Sequence, residues 1–206
     1  RNIRDKGRAY MQTVEWLRNA VFYNIYPSSY YDSNGDGIGD LNGIAEKLDY
    51  IKYMGYTALW INPFYESSFR DGGYDVTDFY KVAPRYGTME DFQNLCKKAH
   101  ALGIKVCVDL VAGHTSTDHP WFQESCKNEM NEYSHRYIWS NDWVYTPSGS
   151  YINGYGERNG CYMNNYFYCQ AAINYGFARI DYPEWQTPMD HPECRKNKKE
   201  PIKTME

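Results

Sequence analysis

Apolar runs alternate with helical repeats along the first half of the chain. Residues 21–27, 57–63 and 104–111 are rich in β-branched and aromatic side chains, and the first two of these runs end at a proline. Such runs are typical of buried strands, and a proline has no backbone N–H to donate to a sheet. We therefore predict three buried strands.

Two predicted helices separate these strands. Over residues 41–54 the apolar positions recur at helical spacing, and Gly55 follows them. Thr88 and Asp91 have the spacing of a capping box, which starts a second helix that runs to Ala101, with Gly103 just beyond. Strands that alternate with helices at this spacing predict right-handed parallel βαβ units and an α/β fold.

The regular pattern ends with the third strand. From His114 to about Pro188 the chain is rich in Tyr, Trp, Asn and Gly and has no steady period. This stretch is several times longer than an ordinary connection between a strand and a helix. We predict an irregular subdomain inserted after strand 3.

Charge and composition narrow the classes of partner. The formal net charge of the 206 residues is −4 at pH 7, and the one basic cluster lies at 195–199, which argues against nucleic acid or an anionic membrane as a partner. No run approaches the ~20 apolar residues of a membrane span. No signal-like segment opens the chain, so we expect a cytoplasmic protein, with secretion as the alternative because the first residue is Arg1. The six cysteines form no C-x-x-C pair and are expected to be free thiols.

Oxygen-bearing positions alternate in the loop after the first strand. They are Asp32, Asn34, Asp36, the backbone carbonyl of Ile38, and Asp40. Oxygen ligands at this spacing, with glycines that allow a tight turn, begin a calcium loop. Because Gly43 replaces the glutamate that completes an EF-hand, we predict a structural Ca²⁺ site of another kind, with Mg²⁺ as the alternative cation. The competing interpretation is an Asx-rich turn that caps the next helix through Asp40 or Asn42.

Polar residues follow two of the predicted strands. Asp109 and His114 end the third strand, and Tyr74 and Asp75 lie in the loop after the second. The carboxyl ends of parallel strands share one rim, where α/β proteins place their sites. A tyrosine face stacks on sugar C–H groups while a carboxylate accepts hydrogen bonds from sugar hydroxyls. Each residue taken alone has an ordinary structural explanation, such as a histidine satisfied by local backbone.

These motifs, in this order, resemble the alpha-amylase superfamily of glycoside hydrolases, family 13. The matching stretches are AVFYNIYP, DSNGDGIGDLNGI, LWINP, GYD and DLVAGHTS, within about residues 20–193. The calcium-loop residues resemble the branch of oligo-1,6-glucosidases and trehalose synthases. The resemblance implies the N-terminal portion of a (β/α)8 TIM barrel, with about three strands in 1–113, the inserted subdomain in 114–187, and the start of barrel helix 3 or a truncated tail in 188–206.

The resemblance also implies a function. The expected reaction is that of a retaining alpha-glucoside hydrolase or transglycosylase acting on starch- or maltose-type oligosaccharides. Tyr74, Asp75 and His114 match residues that hold the glucose ring in the family, and Gln170 in QAAIN matches a substrate contact. The alternative is a non-catalytic sugar-binding or scaffold remnant of the same fold.

Two departures from the family pattern qualify this expectation. The family usually has Asn where this chain has Gly113. The nucleophile and the acid lie on later strands in the family, so we expect the chain alone to lack both and to be inactive, and to leave the outer edge of strand 3 free for self-association. Arg179 and Asp181 imitate the nucleophile motif, but no apolar run precedes them and Pro183 follows, so we reject Asp181 as the nucleophile.

Overall fold

The computed structural model describes residues 14–140 and 149–175. The α-helices and strands within these ranges are, in chain order, β1 (Phe22–Ile25), α1 (Leu41–Glu46), α2 (Leu48–Tyr53), β2 (Ala58–Ile61), β3 (Tyr65–Ser67), β4 (Val76–Val82), α3 (Met89–Ala101), β5 (Lys105–Val108), β6 (His114–Ser116), α4 (Pro120–Ser125), β7 (Trp139–Ser140), β8 (Ser150–Tyr155), β9 (Gly160–Asn164) and β10 (Gln170–Ala172). Short 3-10 helices cover Glu15–Asn19, Pro27–Ser29 and Pro84–Tyr86.

The three predicted strands form one parallel sheet in the order β1-β2-β5. Tyr23, Leu59 and Val106 lie side by side in its register and pack against the buried core that also contains the apolar faces of α1, α2 and α3. On the opposite face of the sheet Trp60 is 48% exposed. The α/β prediction is therefore confirmed, with one covered and one open sheet face in the described residues.

The predicted helix over 41–54 is two shorter helices. Lys47 adopts φ −96° and ψ 3°, and its N–H donates to Ile44, which closes α1 before α2 begins. The apolar pattern continues through this break because Ile44, Leu48 and Ile51 all remain buried in the same core. Periodicity alone therefore did not reveal the interruption.

The capping box of the second predicted helix is confirmed. The Thr88 hydroxyl accepts a hydrogen bond from the Asp91 N–H at 3.2 Å, and the Asp91 carboxylate accepts from the Thr88 N–H at 2.7 Å. The same carboxylate accepts from the Asn42 side chain at 3.0 Å. The Thr88 hydroxyl donates to this carboxylate at 2.8 Å, and this bond, followed by those from Asn42 and the Thr88 N–H, lowers the pKa of Asp91. The contact with Asn42 ties α1 to the start of α3.

The prediction of irregular structure after the third strand was wrong for the described residues. Strands β6, β10, β9 and β7 form an antiparallel sheet in that order, and β8 pairs with β9. These strands have two to six residues each, and β6 and β10 are buried on both faces. Without alternation between buried and exposed positions there is no period of two to detect. Arg179, Asp181 and the segment 188–206 lie outside the described residues.

The antiparallel sheet has its own core. Aromatic rings dominate it, with Phe122 stacked on Trp139 at 5.6 Å between ring centroids and edge-on to Tyr137 and Tyr162 at 4.9 Å. The parallel sheet and the antiparallel sheet therefore each bury a separate apolar cluster. Cys96, Cys107, Cys126 and Cys169 are free thiols, as expected. No helix within these ranges has the length and apolarity needed to cross a bilayer.

A buried histidine at the start of α4 makes the free energy of unfolding depend on pH. His119 is 5% exposed, and its Nδ1 accepts from the Trp121 N–H at 3.1 Å, which caps α4. Burial lowers the pKa of His119 to about 4, and the charge of Arg136 adds to this effect while that of Asp78 opposes it.

We expect the free energy of unfolding to decrease between pH 6.5 and pH 4. An unfolded histidine binds a proton near pH 6.5, whereas folded His119 does so only near pH 4, so its contribution is complete above pH 6.5 and is lost as the pH falls. We expect a loss of about 1–3 kcal/mol from this group. Urea denaturation at pH 7.5 and pH 5.0 measures it. His119→Asn keeps a capping side chain but does not titrate; an equally steep pH dependence in this variant would contradict the assignment.

Candidate active site

A chain of hydrogen bonds runs across the carboxyl edge of the parallel sheet. Asn24 is the third residue of β1, and its side chain donates to Asn62 Oδ1 at 2.8 Å. Asn62 Nδ2 in turn donates to the Tyr74 hydroxyl at 3.1 Å. That hydroxyl donates to Asp109 Oδ2 at 2.8 Å. Each donor points toward the Asp109 carboxylate, so the sequence of bonds has one direction.

Asp109 is held from two further sides. Its Oδ1 accepts from the Trp60 indole at 2.6 Å, and its backbone carbonyl accepts from the Tyr65 hydroxyl at 2.8 Å. Burial, followed by the hydrogen bond to Asp109, raises the pKa of Tyr74. Tyr74 therefore keeps its proton and acts as a donor at physiological pH.

Sequence reasoning missed the amides of this chain of bonds. Asn24 and Asn62 were read only as parts of strand motifs. A signal was available, because two asparagines at the same edge of neighbouring apolar strands need partners. The strand register sets their contact, because it pairs Asn24 with Trp60 and places Asn62 two residues beyond Trp60, just past the end of β2.

The Asp75 carboxylate organises the loop between β3 and β4. Asp75 is fully buried, with Oδ1 accepting from the Ser67 hydroxyl at 2.9 Å and from the Asp71 N–H at 3.1 Å, and Oδ2 accepting from the Arg70 N–H at 3.0 Å. The loop closes around the carboxylate through Phe69, which adopts φ 54°. The predicted contact between Asp75 and a sugar stays a prediction.

His114 lies against this same loop. Its Nε2 is 3.0 Å from the Tyr74 carbonyl oxygen, and its Nδ1 is 3.1 Å from the side-chain amide of Asn165. Burial lowers the pKa of His114, so the ring is neutral at pH 7. The ring of Tyr166 packs edge-on against the imidazole, with centroids 5.9 Å apart.

Gln170 connects the inserted sheet to the loop. It is fully buried in β10, its Nε2 donates to the Asp71 carboxylate, and its Oε1 accepts from the Phe167 N–H at 3.1 Å. The structure thus brings the predicted residues Tyr74, Asp75, His114 and Gln170 together around one loop.

The predicted calcium loop is a series of Asx turns. Asp32 accepts from the N–H groups of Asn34, Gly35 and Gly37, which lowers the pKa of its carboxyl group. Asn34 and Asp36 each accept from the N–H two residues later, at 2.9 and 2.8 Å. The Asn34 side-chain nitrogen also donates to Asp36 Oδ2 at 3.2 Å, so the side-chain oxygens of Asp32, Asn34 and Asp36 are all hydrogen-bonded within the turn.

Asp40 differs from the other predicted side-chain ligands because it is buried, with 4% of its surface exposed, and because it caps a helix. Oδ1 accepts from the Gly43 N–H at 2.7 Å, which caps α1, and Oδ2 accepts from the Ser33 N–H at 2.9 Å. In the described ranges no group of three or more His, Cys, Asp or Glu side chains is arranged to hold a metal. The oxygen donors of residues 32–38 suit a hard cation, and the Asx-turn interpretation also describes this geometry.

A parallel sheet whose carboxyl edge carries the polar side chains is the arrangement of β/α-barrel enzymes. Residues 24–174 match the model of the alpha-amylase catalytic domain. The chain therefore belongs to the alpha-amylase family of glycoside hydrolases, family 13, and is similar to its oligo-1,6-glucosidase and trehalose synthase branch.

Individual relatives agree with this assignment. The trehalose synthase/amylase TreS of Mycolicibacterium smegmatis is 44% identical over 185 residues, which are 84% of this chain and 31% of that protein. An oligo-1,6-glucosidase of Heyndrickxia coagulans is 47% identical over 163 residues, 75% of this chain and 29% of that protein. The crystal structure of Bacillus licheniformis trehalose-6-phosphate hydrolase is 41% identical with a TM-score of 0.70, covering 77% of this chain and 30% of that one. The chain thus spans about a third of the length of these relatives.

Proposed function

We propose that this chain forms the glucose-holding part of the catalytic domain of an alpha-glucoside hydrolase or transglycosylase. The observation that carries the proposal is the meeting of Tyr74, Asp75, His114 and Gln170 around one loop, in a chain of the alpha-amylase family. The substrate class is an alpha-glucan or a starch- or maltose-type oligosaccharide.

The chemistry of the loop supports sugar binding. The half-buried ring of Tyr74 offers an apolar face, and its hydroxyl is fixed by Asn62 and Asp109. His114 is neutral and directs an N–H toward the Tyr74 carbonyl oxygen, where a sugar oxygen can share the donor. Hydrogen bonds from buried polar groups discriminate strongly between ligands because an unmatched partner is left unpaired.

Bond cleavage needs groups other than these. A retaining glycosidase requires two carboxyl groups about 5–5.5 Å apart, and the resemblance assigns neither carboxyl group to this chain. We propose that the described residues orient the sugar while a nucleophile and an acid from later strands cleave it. A non-catalytic sugar-binding or scaffold role is the second candidate. Its scaffold form is favoured because protein partners already occupy polar atoms of Asp75, His114 and Gln170.

We expect His114→Ala to reduce kcat/KM for maltose or isomaltose about 10- to 100-fold in protein expressed from its full reading frame. The estimate corresponds to the loss of one hydrogen bond of about 1.5–3 kcal/mol. Steady-state kinetics measure it, and the exposed His100→Ala on α3 is the matched control. Full activity of the His114→Ala variant would exclude the proposed subsite.

Two assays test these candidate functions, one on residues 1–206 alone and one on protein expressed from its full reading frame. Ordinary rates on p-nitrophenyl alpha-glucoside from this polypeptide would contradict the proposed division between sugar-holding and catalytic residues. Maltose binding by the full-length protein without any turnover would favour the sugar-binding role.

We further propose that a structural Ca²⁺ or Mg²⁺ ion binds the loop through Asp32, Asn34, Asp36, the Ile38 carbonyl and Asp40. The bound ion would hold the loop rigid where Gly39 and Gly43 approach the backbone of residues 27–31. A Cβ at Gly43 would lie 2.0 Å from the Tyr31 carbonyl oxygen, so this contact requires glycine.

We expect Ca²⁺ to bind metal-stripped protein and Asp36→Asn to weaken binding about 10-fold, because one ligand charge is lost. Isothermal titration with Ca²⁺ and with Mg²⁺ measures both affinities. Asp49→Asn, which removes the same charge from the exposed face of α2, is the control. If neither cation produces heat, the loop is an Asx-rich turn without a metal.

A further inference from the structure

Asn165 directly follows β9. Its side chain contacts Gly113 and His114, which lie at the start of β6. Its side-chain nitrogen donates to the Gly113 carbonyl oxygen at 3.0 Å and lies 3.1 Å from His114 Nδ1. Gly113 and Asn165 are 52 residues apart in the chain. They meet because β10 pairs with both β6 and β9.

Two backbone carbonyls determine where the protons lie. The Gly113 carbonyl only accepts, so the amide of Asn165 must turn its NH₂ group, not its oxygen, toward Gly113 and His114. Nδ1 of His114 is then an acceptor, and the ring proton is on Nε2. The Tyr74 carbonyl 3.0 Å from Nε2 also only accepts, so this contact favours the same tautomer and acts together with Asn165.

Gly113 provides the space for this contact. A Cβ at position 113 would lie 3.0 Å from Asn165 Nδ2, closer than most real Cβ contacts. A larger side chain at 113 would therefore compete with the Asn165 amide for one place beside the imidazole. Gly113 thus leaves room for the Asn165 amide, which reaches the His114 ring from the position just after β9.

We propose that Asn165 is a positioning residue that fixes His114 as the Nε2-protonated neutral tautomer, and that Gly113 is required for it to do so. Nε2–H is then always available as a donor on the side of the Tyr74 loop. The effect on substrate rests on the proposed function, whereas the tautomer of His114 does not.

The charged groups around the His114 ring determine how a variant at position 165 should change its protonation. Asp71 and Asp75 on the loop between β3 and β4 favour the charged form of His114, and burial opposes it more strongly. Asn165 adds a neutral donor to Nδ1. A carboxylate at position 165 would reverse that role, because both ring nitrogens would then face acceptors and the imidazolium would be favoured.

The experiment is ¹⁵N NMR of histidine-labelled protein expressed from its full reading frame, with the His114 signals assigned by their loss in His114→Gln. The wild-type protein should show a protonated Nε2 and an unprotonated Nδ1 near pH 7. Asn165→Asp should protonate both nitrogens and raise the titration midpoint by about 1–3 pH units. Asn165→Leu should leave the ring neutral but let a measurable fraction of the Nδ1-protonated tautomer appear, because only the Tyr74 carbonyl then favours a proton on Nε2.

Gly113→Ala tests whether the Asn165 amide needs the space beside Gly113. It leaves Asn165 in place but crowds its amide, and it should also mix the tautomers. The signals of His100, exposed on α3, should not move in any variant. Wild-type signals for His114 in both Asn165→Asp and Gly113→Ala would overturn the proposal. If the tautomer changes as expected while the protein has no activity on alpha-glucosides, the positioning role stands and the proposed function fails.

Discussion

The arrangement of the site depends on the buried carboxylate of Asp75. A carboxylate without solvent is unfavourable by several kcal/mol unless hydrogen bonds replace the lost water. The chain meets this requirement locally, since Ser67, Arg70 and Asp71 all donate to Asp75. The loop must curl tightly to do so, and this accounts for the positive φ of Phe69.

The same loop then fixes the residues around it. With Asp75 at its centre, the loop places the Tyr74 hydroxyl against Asp109 and the Tyr74 carbonyl against His114. Its Asp71 accepts from Gln170 of the inserted sheet. Two separately packed units, the parallel sheet and the antiparallel sheet, are thus joined by polar contacts to one loop. A change in the hydrogen bonds of Asp75 would therefore displace the loop and disturb its contacts with both sheets.

The parts of this structure that were predictable from sequence are those that local chemistry determines. The strands β1, β2 and β5 follow from their composition, and the capping box at Thr88 and the Asx turns at Asp32 follow from side chains within a few residues of their partners. Long-range contacts were not predictable. The break at Lys47 leaves the apolar pattern unchanged, and the buried strands β6 and β10 show no alternation. Asn165 gave no signal because its partner Gly113 is distant in the chain.

The hydrogen bonds of His114 restrict what it can do in a reaction. A general acid or base must exchange its proton with substrate, and its pKa is best near the working pH. His114 has a lowered pKa, its Nδ1 accepts a hydrogen bond from the Asn165 amide, and its Nε2–H donates a hydrogen bond to the Tyr74 carbonyl oxygen. Proton transfer would break both bonds at once. The donor on Nε2, by contrast, is available without any change of protonation. In the proposed function, the strand end that carries Asp109 and His114 therefore orients the sugar, and the proposed cleavage step uses carboxyl groups from elsewhere.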